Sequence, residues 1–517
     1  MKKLYLALSA LVAAFSANAQ ITLLQTYTNN TSAPVGSYQG ITMREAGFSS
    51  LYYIPGTQLE FFTISDRGPN IDAGSANCAT TGNEKIFPFP GYVPKMHRLK
   101  LMGDSIQILQ TWNMRKPDST NVSGLPNPVG FGSAGEVAWS DTSNNCPNMH
   151  TVGIDSLGLD PEGVVIGANN TFWVSEEYGT SVLQMSKNGV ILNRHTPYGS
   201  GPNRIGIDTV LRNRTSNRGF EGLAITPNGK IYAFMQSTMD FPVSAKDTTR
   251  IMRILEINPT TNTTRMFVHL NPGTSNVGGD KIKPKDWKIG DASAINDSTF
   301  LIIEHGVKNA NNQKRIYTLS LSGATPITQN WINGKTVEQY YDSTGLASVG
   351  ITACKKTVFL DLMANGWNPA MDKPENLAII NDSTIAVGQD NDYGFVSADA
   401  DGIIAATNLK SSIYVYRLSG TNKITNYVTP TNTITTPIPT AVTSVNAQPK
   451  SVTVYPNPLH QSETLHFSAP VTAVVFDITG RQMAAISNAT ELNTAHLSAG
   501  MYTIRTNDGN ATRFVIY

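Results

Sequence analysis

The sequence of 517 residues carries 39 Lys and Arg against 38 Asp and Glu, a formal net charge of +1, and only 15% of its residues are charged. Because the charges balance and form no block of one sign, we exclude nucleic acid and anionic membranes as partners. The many Gly, Thr, Asn and Ser residues and the short apolar runs favour an all-β chain with long loops and few helices.

The N-terminus has the three-part layout of a secretory signal peptide. Lys2 and Lys3 precede an apolar run that begins at Leu4, and the small residues 17–19 come just before Gln20. We therefore predict a signal peptide over 1–19 and export to the periplasm. No later apolar stretch reaches the roughly 20 residues that a membrane-spanning helix needs, so no transmembrane anchor is expected.

Three cysteines are too few for a disulfide framework. Cys78 and Cys146 lie in the same loop-rich region, and in an oxidising compartment these two could pair. Cys354 has no comparable neighbour in the sequence.

A pattern recurs between residues 20 and 420: an acid, small and apolar residues, a tight turn, and a second β-rich run that ends in polar residues. The copies begin at Glu45, Glu162, Glu221, Asp291 and Glu375. The turns, such as Pro-Asn-Gly at 227–229, are those of β-hairpins, and a further β-rich run follows each hairpin. Four short strands per repeat are typical of a β-propeller blade.

We therefore predict a single β-propeller over 20–420, with about five to seven blades and six preferred. The wide gap after the first repeat leaves room for another blade around Glu136–Trp139, or for a long insertion. The strand Ile21–Tyr27 is expected to complete the last blade, because closing the ring protects strand edges that would otherwise be exposed.

Hairpin geometry predicts that the acids of these repeats converge. The first residue of the leading strand lies beside the last residue of the returning strand, and radial blades turn these ends toward one mouth of the channel. Carboxylates that face one another repel unless a cation neutralises them, and a flexible ring of oxygen ligands favours Ca²⁺ over Mg²⁺. The predicted metal ligands are Glu45, Asp66, Glu162, Glu176, Asp291, Glu304, Glu375 and Asp390. The alternatives are that each acid binds backbone N–H groups at a strand start, or that a metal only stabilises the channel.

Basic residues accompany the acids and indicate an anionic ligand. Arg67, Arg218 and Lys373 are the predicted substrate-binding residues, although they could equally pair with the adjacent carboxylates. The candidate catalytic residues are Glu221, Glu177 and His305. The propeller region contains no Gly-x-Ser-x-Gly nucleophile motif, and no phosphate-binding loop or dinucleotide fingerprint occurs.

Five segments of the propeller region carry distinctive motifs, namely 65–70, 159–163, 175–179, 217–224 and 373–395. As a set they resemble the phytase-like domain family, described as "esterase-like activity of phytase", over about Gln39 to Leu418. The resemblance implies a propeller related to the calcium-dependent propeller phytases, which hydrolyse phosphomonoesters. The sequence departs from the family pattern at Asn376, where a Gly commonly follows the Glu.

The C-terminal part begins with a Thr- and Pro-rich segment, 421–450, which we predict to be a linker. Residues 451–517 follow as a small domain whose alternating strands and turns suit a β-sandwich. The segments 452–458, 475–481 and 497–504 resemble the C-terminal sorting domain of the type IX secretion system of certain Gram-negative bacteria. This resemblance implies the type IX machinery as a partner, and release from the cell or attachment to its surface.

These observations lead to one main hypothesis and two alternatives. The main hypothesis is a secreted hydrolase of phosphoric esters that depends on Ca²⁺ and acts on a small anionic substrate. The first alternative is a propeller lactonase or carboxylesterase, since a metal can equally polarise a carbonyl group of an ester substrate. The second is a non-catalytic binding or adhesion protein that calcium stabilises.

Overall fold

The computed structural model describes residues 21–133, 135–141, 149–432, 434, 453–479, 481–506 and 511–517. The predicted signal peptide, most of the predicted linker, and Cys146 lie outside the described residues. Cys78 is disulfide-bonded and Cys354 is free and buried. The chain divides into two compact units, Met1–Ile438 and Pro439–Tyr517.

Strands dominate both units, which confirms the all-β prediction. The described α-helices are Val243–Lys246 and Ser343–Ala347. The short 3₁₀ turns are Ala168–Asn170, Thr209–Asn213, Pro284–Asp286, Val337–Tyr340, Met363–Asn365, Asp392–Gly394 and Gly420–Asn422. Within the described part of the chain, no helix is long and apolar enough to cross a membrane.

Five blade-like units, each of four antiparallel strands, make up most of Met1–Ile438. Unit by unit, the strands are Tyr52–Tyr53, Glu60–Ile64, Lys95–Met102 and Ser105–Asn113; Pro161–Gly167, Thr171–Glu176, Ser181–Ser186 and Ile191–Thr196; Phe220–Ile225, Ile231–Met235, Ile251–Asn258 and Thr263–Leu270; Lys288–Ala294, Thr299–Lys308, Asn311–Ser320 and Lys355–Asp361; Lys373–Asn381, Thr384–Asp390, Ser412–Leu418 and Ile21–Thr28. Each unit is ordered along the sheet as in the sequence, except that the N-terminal strand completes the fifth.

The units are arranged as the blades of a propeller, because the first strand of each contacts the first strands of the two units beside it. The ring closes where Ile21–Thr28 pairs antiparallel with Ser412–Leu418, from Ile21 opposite Leu418 to Thr28 opposite Ser412. This register confirms the prediction that the N-terminal strand completes the last blade.

The preferred count of six blades is not confirmed. The region around Glu136 contributes to a separate mixed sheet, in which Glu84–Ile86 pairs in parallel with residues 137–139. The strands of this insertion sheet are Ile71–Asp72, Glu84–Ile86, Val137–Asp141 and Met149–Thr151. A blade made of consecutive hairpins contains no such parallel pair, so the alternative of a long insertion describes this region better. The remaining short strands of this unit are Pro34–Tyr38, Ile41–Arg44, Arg204–Gly206, Ser275–Val277, Asp280–Ile282, Trp331–Ile332 and Lys335–Thr336.

The first residues of the predicted linker cover one end of the channel. Val428 N donates to Ile295 O at 2.9 Å, and the Tyr427 hydroxyl donates to Ile379 O at 3.3 Å. Tyr427 and Pro430 line a small cavity together with apolar residues from all five units, such as Leu51. These contacts involve the later residues of the innermost strands, so the covered end is opposite the strand starts where the acids lie.

The C-terminal unit, Pro439–Tyr517, is a single sheet with its own apolar core. Its strands are Val454–Tyr455, Thr464–Asp477, Gln482–Asn493, Gly500–Thr506 and Ala511–Ile516. Thr464–Asp477 pairs with three of the others, and side chains such as Leu465, Val475 and Phe514 are fully buried. Because the described strands belong to one hydrogen-bonded sheet, the predicted β-sandwich is not confirmed.

Candidate metal centre

The repeated acids of the second to fifth units lie in β-bulges. The strand register shifts between Pro161 and Gly163, Phe220 and Leu223, Ile289 and Ala292, and Pro374 and Asn376. The residues within these shifts include Glu162, Glu221, Asp291 and Glu375. A bulge inserts an extra residue and changes the direction of its side chain. The bulge at each strand start therefore decides where each acid points.

Glycines beside these acids let neighbouring innermost strands approach closely. A Cβ on Gly163 would lie 2.7 Å from the Cβ of Leu223, and one on Gly222 would lie 2.8 Å from the carbonyl carbon of Asp291. A side chain at either position would push the units apart. The Glu-Gly sequence thus brings carboxylates of successive units together at the channel mouth.

The fifth unit departs from this pattern at Asn376, as the sequence indicates. Its side-chain Nδ2 donates to Phe48 O at 2.6 Å, across the boundary to the first unit. The residue is fully buried, and its Oδ1 has no hydrogen-bond partner among the described residues. Asn376 therefore connects the last unit to the first by a hydrogen bond, at the position where the second and third units have glycine.

The acids at the channel mouth form a continuous chain of carboxylates. In each of three groups the ligand oxygens lie within 4.8 Å of one another, and the groups are Asp66, Asp390 and Asp392; Asp66, Asp160 and Glu162; and Glu162, Glu221 and Glu375. Asp66 belongs to the first two groups and Glu162 to the last two. All seven side chains are buried except Asp392, which is 47% exposed.

Burial and mutual repulsion favour the protonated forms of several of these acids, whereas at Asp392 burial is outweighed by Lys373, which lowers the pKa. Burial, and then the charges of Glu221 and Asp66, raise the pKa of Glu162 well above its usual range. Burial, and then repulsion from Asp160, raise the pKa of Glu177 to about 8. Burial also raises the pKa of Glu375 to about 8. Ionising the whole cluster therefore needs compensating positive charge.

Two of the predicted substrate-binding cations lie against this cluster. Arg67 pairs with Glu136 at 3.0 Å and with Asp160 at 3.6 Å, and its buried Nη1 has no hydrogen-bond partner among the described residues. Lys373 Nζ lies 2.6 Å from Asp392 and 3.5 Å from an oxygen of Asp390. Both cations therefore pair with neighbouring carboxylates, as the alternative interpretation of the sequence expects. Arg67 Nη1 is the exception, because it has no partner among the described residues.

The third predicted cation, Arg218, donates from Nη1 to Lys285 O at 2.7 Å. His305 is buried, and its Nε2 lies 4.0 Å from Glu375 Oε1 without forming a hydrogen bond in the described structure. Burial, and then the charges of Lys288 and other cations, lower the pKa of His305 well below its usual range. This imidazole is therefore neutral at physiological pH.

In the third unit, the hairpin rule places Gln236, which directly follows the returning strand Ile231–Met235, beside Glu221 at the start of the leading strand, and the structure shows this pairing. Gln236 Nε2 donates to Glu221 Oε2 at 2.9 Å. Glu177, the other predicted catalytic acid, is buried, and its backbone N donates to Asp160 O at 2.9 Å. Its carboxylate interacts electrostatically with Asp160 and with Lys288.

Four of the predicted metal ligands have other partners. Glu45 accepts hydrogen bonds from Lys95 Nζ at 2.5 Å and from the Tyr92 hydroxyl. Glu176 lies 3.2 Å from Arg194 Nη2 and accepts the N–H of Gly179 at 2.8 Å.

Asp291 and Glu304 also have partners outside the carboxylate chain. Asp291 accepts the N–H groups of Ala292 and Leu377, each at 2.8 Å, as the alternative of backbone binding at a strand start predicts. Glu304 Oε2 lies 2.5 Å from Lys356 Nζ. The strand-end rule, which predicts a metal ligand wherever an acid begins or ends a hairpin strand, is therefore too broad. It selects these four acids as well as acids of the carboxylate chain.

The predicted ligand set omits two acids that belong to the chain, Asp160 and Asp392. Both lie just outside strands, so a rule based on the first and last residues of strands does not select them. Asp160 precedes the bulge by two residues within the motif 159–163, and Asp392 has a left-handed φ of 45° that turns its loop back toward Asp390. The density of acids in these two motifs is the signal that identifies them.

Comparisons with solved structures give distant matches. They include aldose sugar dehydrogenase of Streptomyces coelicolor in its PQQ-bound form, 10% identical over 78% of this chain and 99% of that chain, with a TM-score of 0.30. Virginiamycin B lyase of Staphylococcus aureus is 9% identical over 77% of this chain and 99% of that chain, with a TM-score of 0.29. A gluconolactonase of Xanthomonas campestris is 7% identical over 77% and 98%, with a TM-score of 0.26. These scores are too low to carry a conclusion about this chain.

A curated relative from Arthroderma benhamiae, called "Uncharacterized secreted protein", is 28% identical over 168 residues. The match covers 26% of this chain and 31% of the relative, so it spans less than a third of that protein.

Two family models match the chain. The model of the secretion system C-terminal sorting domain matches residues 453–516, which indicates interaction with the type IX secretion machinery and a secreted or cell-surface location. The other model, "Esterase-like activity of phytase", matches residues 44–393 and includes every acid of the carboxylate chain. Since this match covers more than half of the sequence, the chain belongs to the Phytase-like family.

Proposed function

We propose that this chain is a secreted, metal-dependent hydrolase of phosphoric esters, built on a five-bladed β-propeller, with Ca²⁺ as the metal. Membership of the Phytase-like family and the sorting domain support a secreted hydrolase of the esterase-like type. We further propose that the metal is Ca²⁺, that the substrate is a phosphoric ester and that the propeller has five blades.

One observation carries the proposal: negative charge at the channel mouth far exceeds the positive charge of the protein around it. The carboxyl groups are those of Asp66, Asp160, Glu162, Glu177, Glu221, Glu375, Asp390 and Asp392, and the cations that act on them are Arg67, Lys85, Lys288 and Lys373. Buried carboxylates in such excess stay protonated or bind metal cations.

The donor set fits Ca²⁺ better than a transition metal. Carboxylate oxygens are hard ligands, and the groups in the chain contain neither His nor Cys. Asp66 and Glu162 are each shared between two groups, so either can contribute to adjacent cation positions. When bound, the cation would polarise the phosphoryl group and lower the pKa of a coordinated water.

The chain's own residues supply the remaining functions. Arg67 Nη1 and Lys373 offer N–H donors to the phosphoryl oxygens, whose charge they offset. Glu177 is buried beside Asp160, at the edge of the carboxylate chain, and is the candidate general acid or base. His305 Nε2 has no hydrogen-bond partner among the described residues and lies 4.0 Å from Glu375 Oε1, where a neutral imidazole can relay a proton.

A carboxylic ester is the second candidate substrate, because the description of the family is "Esterase-like activity of phytase". A bound cation polarises a carbonyl oxygen as well as a phosphoryl oxygen. The same acids would serve both reactions, so only the choice of substrate separates the two proposals.

The test uses the full chain from Gln20, purified and assayed with and without a Ca²⁺ chelator. The substrates are phytate, a sugar monophosphate, p-nitrophenyl phosphate, a lactone and p-nitrophenyl acetate. We expect phosphate release that the chelator abolishes and that Ca²⁺ restores. Turnover of only the lactone or the acetate selects the second candidate, and no turnover of any substrate, despite Ca²⁺ binding, selects a binding protein.

A matched control for the loss of one negative charge is Asp104→Asn. Asp104 is exposed in the turn between two strands of the first unit, where its carboxylate accepts a hydrogen bond from Ser105 and from no other described residue. This variant should retain full activity, whereas Glu162→Gln should lose it.

A further inference from the structure

A polar cleft lies beside the carboxylate chain. It has a volume of about 170 Å³ and is lined by Asp72, Gly82, Asn83, Lys85, Glu136, Ser216 and Asn217. One wall comes from the insertion sheet that replaces the expected sixth blade, and the other from the loop that precedes the third unit. The insertion therefore shapes a recess next to the channel mouth.

The cleft connects directly to the candidate site. Glu136 Oε2, in its wall, accepts a hydrogen bond from Arg67 Nη2 at 3.0 Å. Lys85 Nζ donates to Asn70 Oδ1 at 3.2 Å, and the same oxygen lies 3.3 Å from Arg67 Nη2. A substrate whose phosphoryl group meets Arg67 would place its remaining atoms near this recess.

Two of the residues that line the cleft have a buried acceptor atom without a hydrogen-bond partner in the described part of the chain. Glu136 Oε1 and Asn217 Oδ1 are both inaccessible to bulk water and form no hydrogen bond with any described residue. A buried acceptor without a donor costs about 1–3 kcal/mol, so such atoms usually meet a ligand or water. Hydroxyl groups supply the missing donors, whereas phosphate groups supply only acceptors at neutral pH.

The charge of the cleft also favours a neutral hydroxylated group over a phosphate group. Its lining contains two carboxylates, Asp72 and Glu136, and one cation, Lys85. A group that carries several phosphates would meet these carboxylates without enough positive charge to balance them. A volume of about 170 Å³ is below the roughly 300–1,000 Å³ of drug-sized sites, and it suits a single ring.

We propose that this cleft binds the non-reacting part of the substrate, and that this part is a neutral polyhydroxylated group such as a sugar ring. The inference rests on the proposed function and deepens it, because it names the substrate class as sugar or polyol monophosphates. Phytate, which carries phosphate on every ring carbon, is then a poor substrate.

The test compares glucose 6-phosphate, phytate and p-nitrophenyl phosphate as substrates of the full chain from Gln20 with Ca²⁺. We expect kcat/KM for the sugar phosphate to exceed that for phytate at least tenfold. In Asn217→Gly, the ratio of kcat/KM for the sugar phosphate to that for p-nitrophenyl phosphate should fall about tenfold, through KM. Glycine suits the left-handed φ of 51° at this residue, and Asn217→Asp, which keeps an acceptor, should retain the ratio.

Asn83→Ala on the opposite wall is a second variant, in case Asn217→Gly folds poorly. Calorimetric titration with glucose 6-phosphate and with Ca²⁺ separates this proposal from the proposed function. Weaker sugar phosphate binding in the variants, with Ca²⁺ binding intact, supports the cleft even if no ester is hydrolysed. A preference for phytate, or sugar phosphate binding that neither variant changes, overturns the assignment.

Discussion

Glu221 and Asp291 lie in bulges at the start of the innermost strands of adjacent units, but their carboxylates have different surroundings. The oxygens of Glu221 lie with those of Glu162 and Glu375 in one candidate cation group. Asp291 instead accepts backbone N–H groups, including that of Leu377 in the next unit. Asp is one methylene shorter than Glu, and in this unit the glycine precedes the acid rather than following it. The same position in the repeat thus either builds a charged site or joins two strands.

Replacing Glu162 should have the largest effect on function. Glu162→Gln removes the carboxylate that two candidate cation groups share, so we expect a fall in kcat of about 100-fold or more. The same change relieves repulsion among buried acids and should raise the melting temperature of the chelator-treated protein. Activity assays and thermal unfolding of the same samples measure both effects, and a lower melting temperature would contradict the repulsion.

The pH dependence of stability should distinguish the site acids from Glu45. The pKa values of Glu177 and Glu375, raised to about 8 mainly by burial, exceed the unfolded value of about 4. The folded, metal-free protein therefore binds more protons than the unfolded chain, and its stability falls as the pH rises from about 4 toward 8. Ca²⁺ should remove this decline, which denaturant titrations at several pH values would measure.

Glu45 has the opposite sign. Burial raises its pKa, but the neighbouring His97 and Lys95 outweigh burial and lower it to about 2. Its contribution to stability is present above the unfolded pKa and is lost as the pH falls toward 2. Glu45→Gln should therefore flatten only the acid limb of the stability profile and leave the alkaline limb unchanged.

Asp291→Asn should have a moderate effect that is confined to stability. The amide loses one acceptor among buried N–H groups and introduces donors there, so we expect a loss of about 2 kcal/mol in the free energy of unfolding. Ca²⁺ stoichiometry, measured by calorimetry, should not change. A loss of bound Ca²⁺ would show that Asp291 serves the site after all.

The smallest effect is expected at Asn376. Asn376→Gly restores the residue that the family commonly has and removes the hydrogen bond to Phe48 O. The free energy of unfolding should fall by about 1 kcal/mol, with Ca²⁺ affinity unchanged. A stabilised variant would indicate that the buried, unpaired Oδ1 costs more than the hydrogen bond contributes.

Sequence reasoning predicts those features that depend on local pattern. The alternation of turns and β-rich runs gives the all-β class, and hairpin geometry gives the pairing of Glu221 with Gln236. The blade count was not predictable in this way, because the short strands around Glu84 and Val137 resemble blade strands until their parallel pairing is known. The direction of strand pairing, and not composition, distinguishes the insertion sheet from a blade.

The candidate site was predictable only in part, for a geometric reason. The acids that begin repeats are easy to find, but their side-chain directions depend on the bulges and on the approach of the next unit. Asp160 and Asp392 lie in loops, where no strand period fixes their direction. Glu304 lies near the end of the predicted β-rich run, but the strand continues to Lys308. Its proximity to Lys356 depends on tertiary contacts that the sequence pattern does not encode.

Closure of the ring by Ile21–Thr28 has a consequence for when the unit can fold. Its partner, Ser412–Leu418, lies at the far end of the unit, so the fifth blade cannot form until almost all of the unit has been synthesised. Pairing between such distant segments is slow, because the entropy of a very long loop must be lost first. Until Ser412–Leu418 is available, Ile21–Thr28 has no partner in the fifth blade, and the ring stays open.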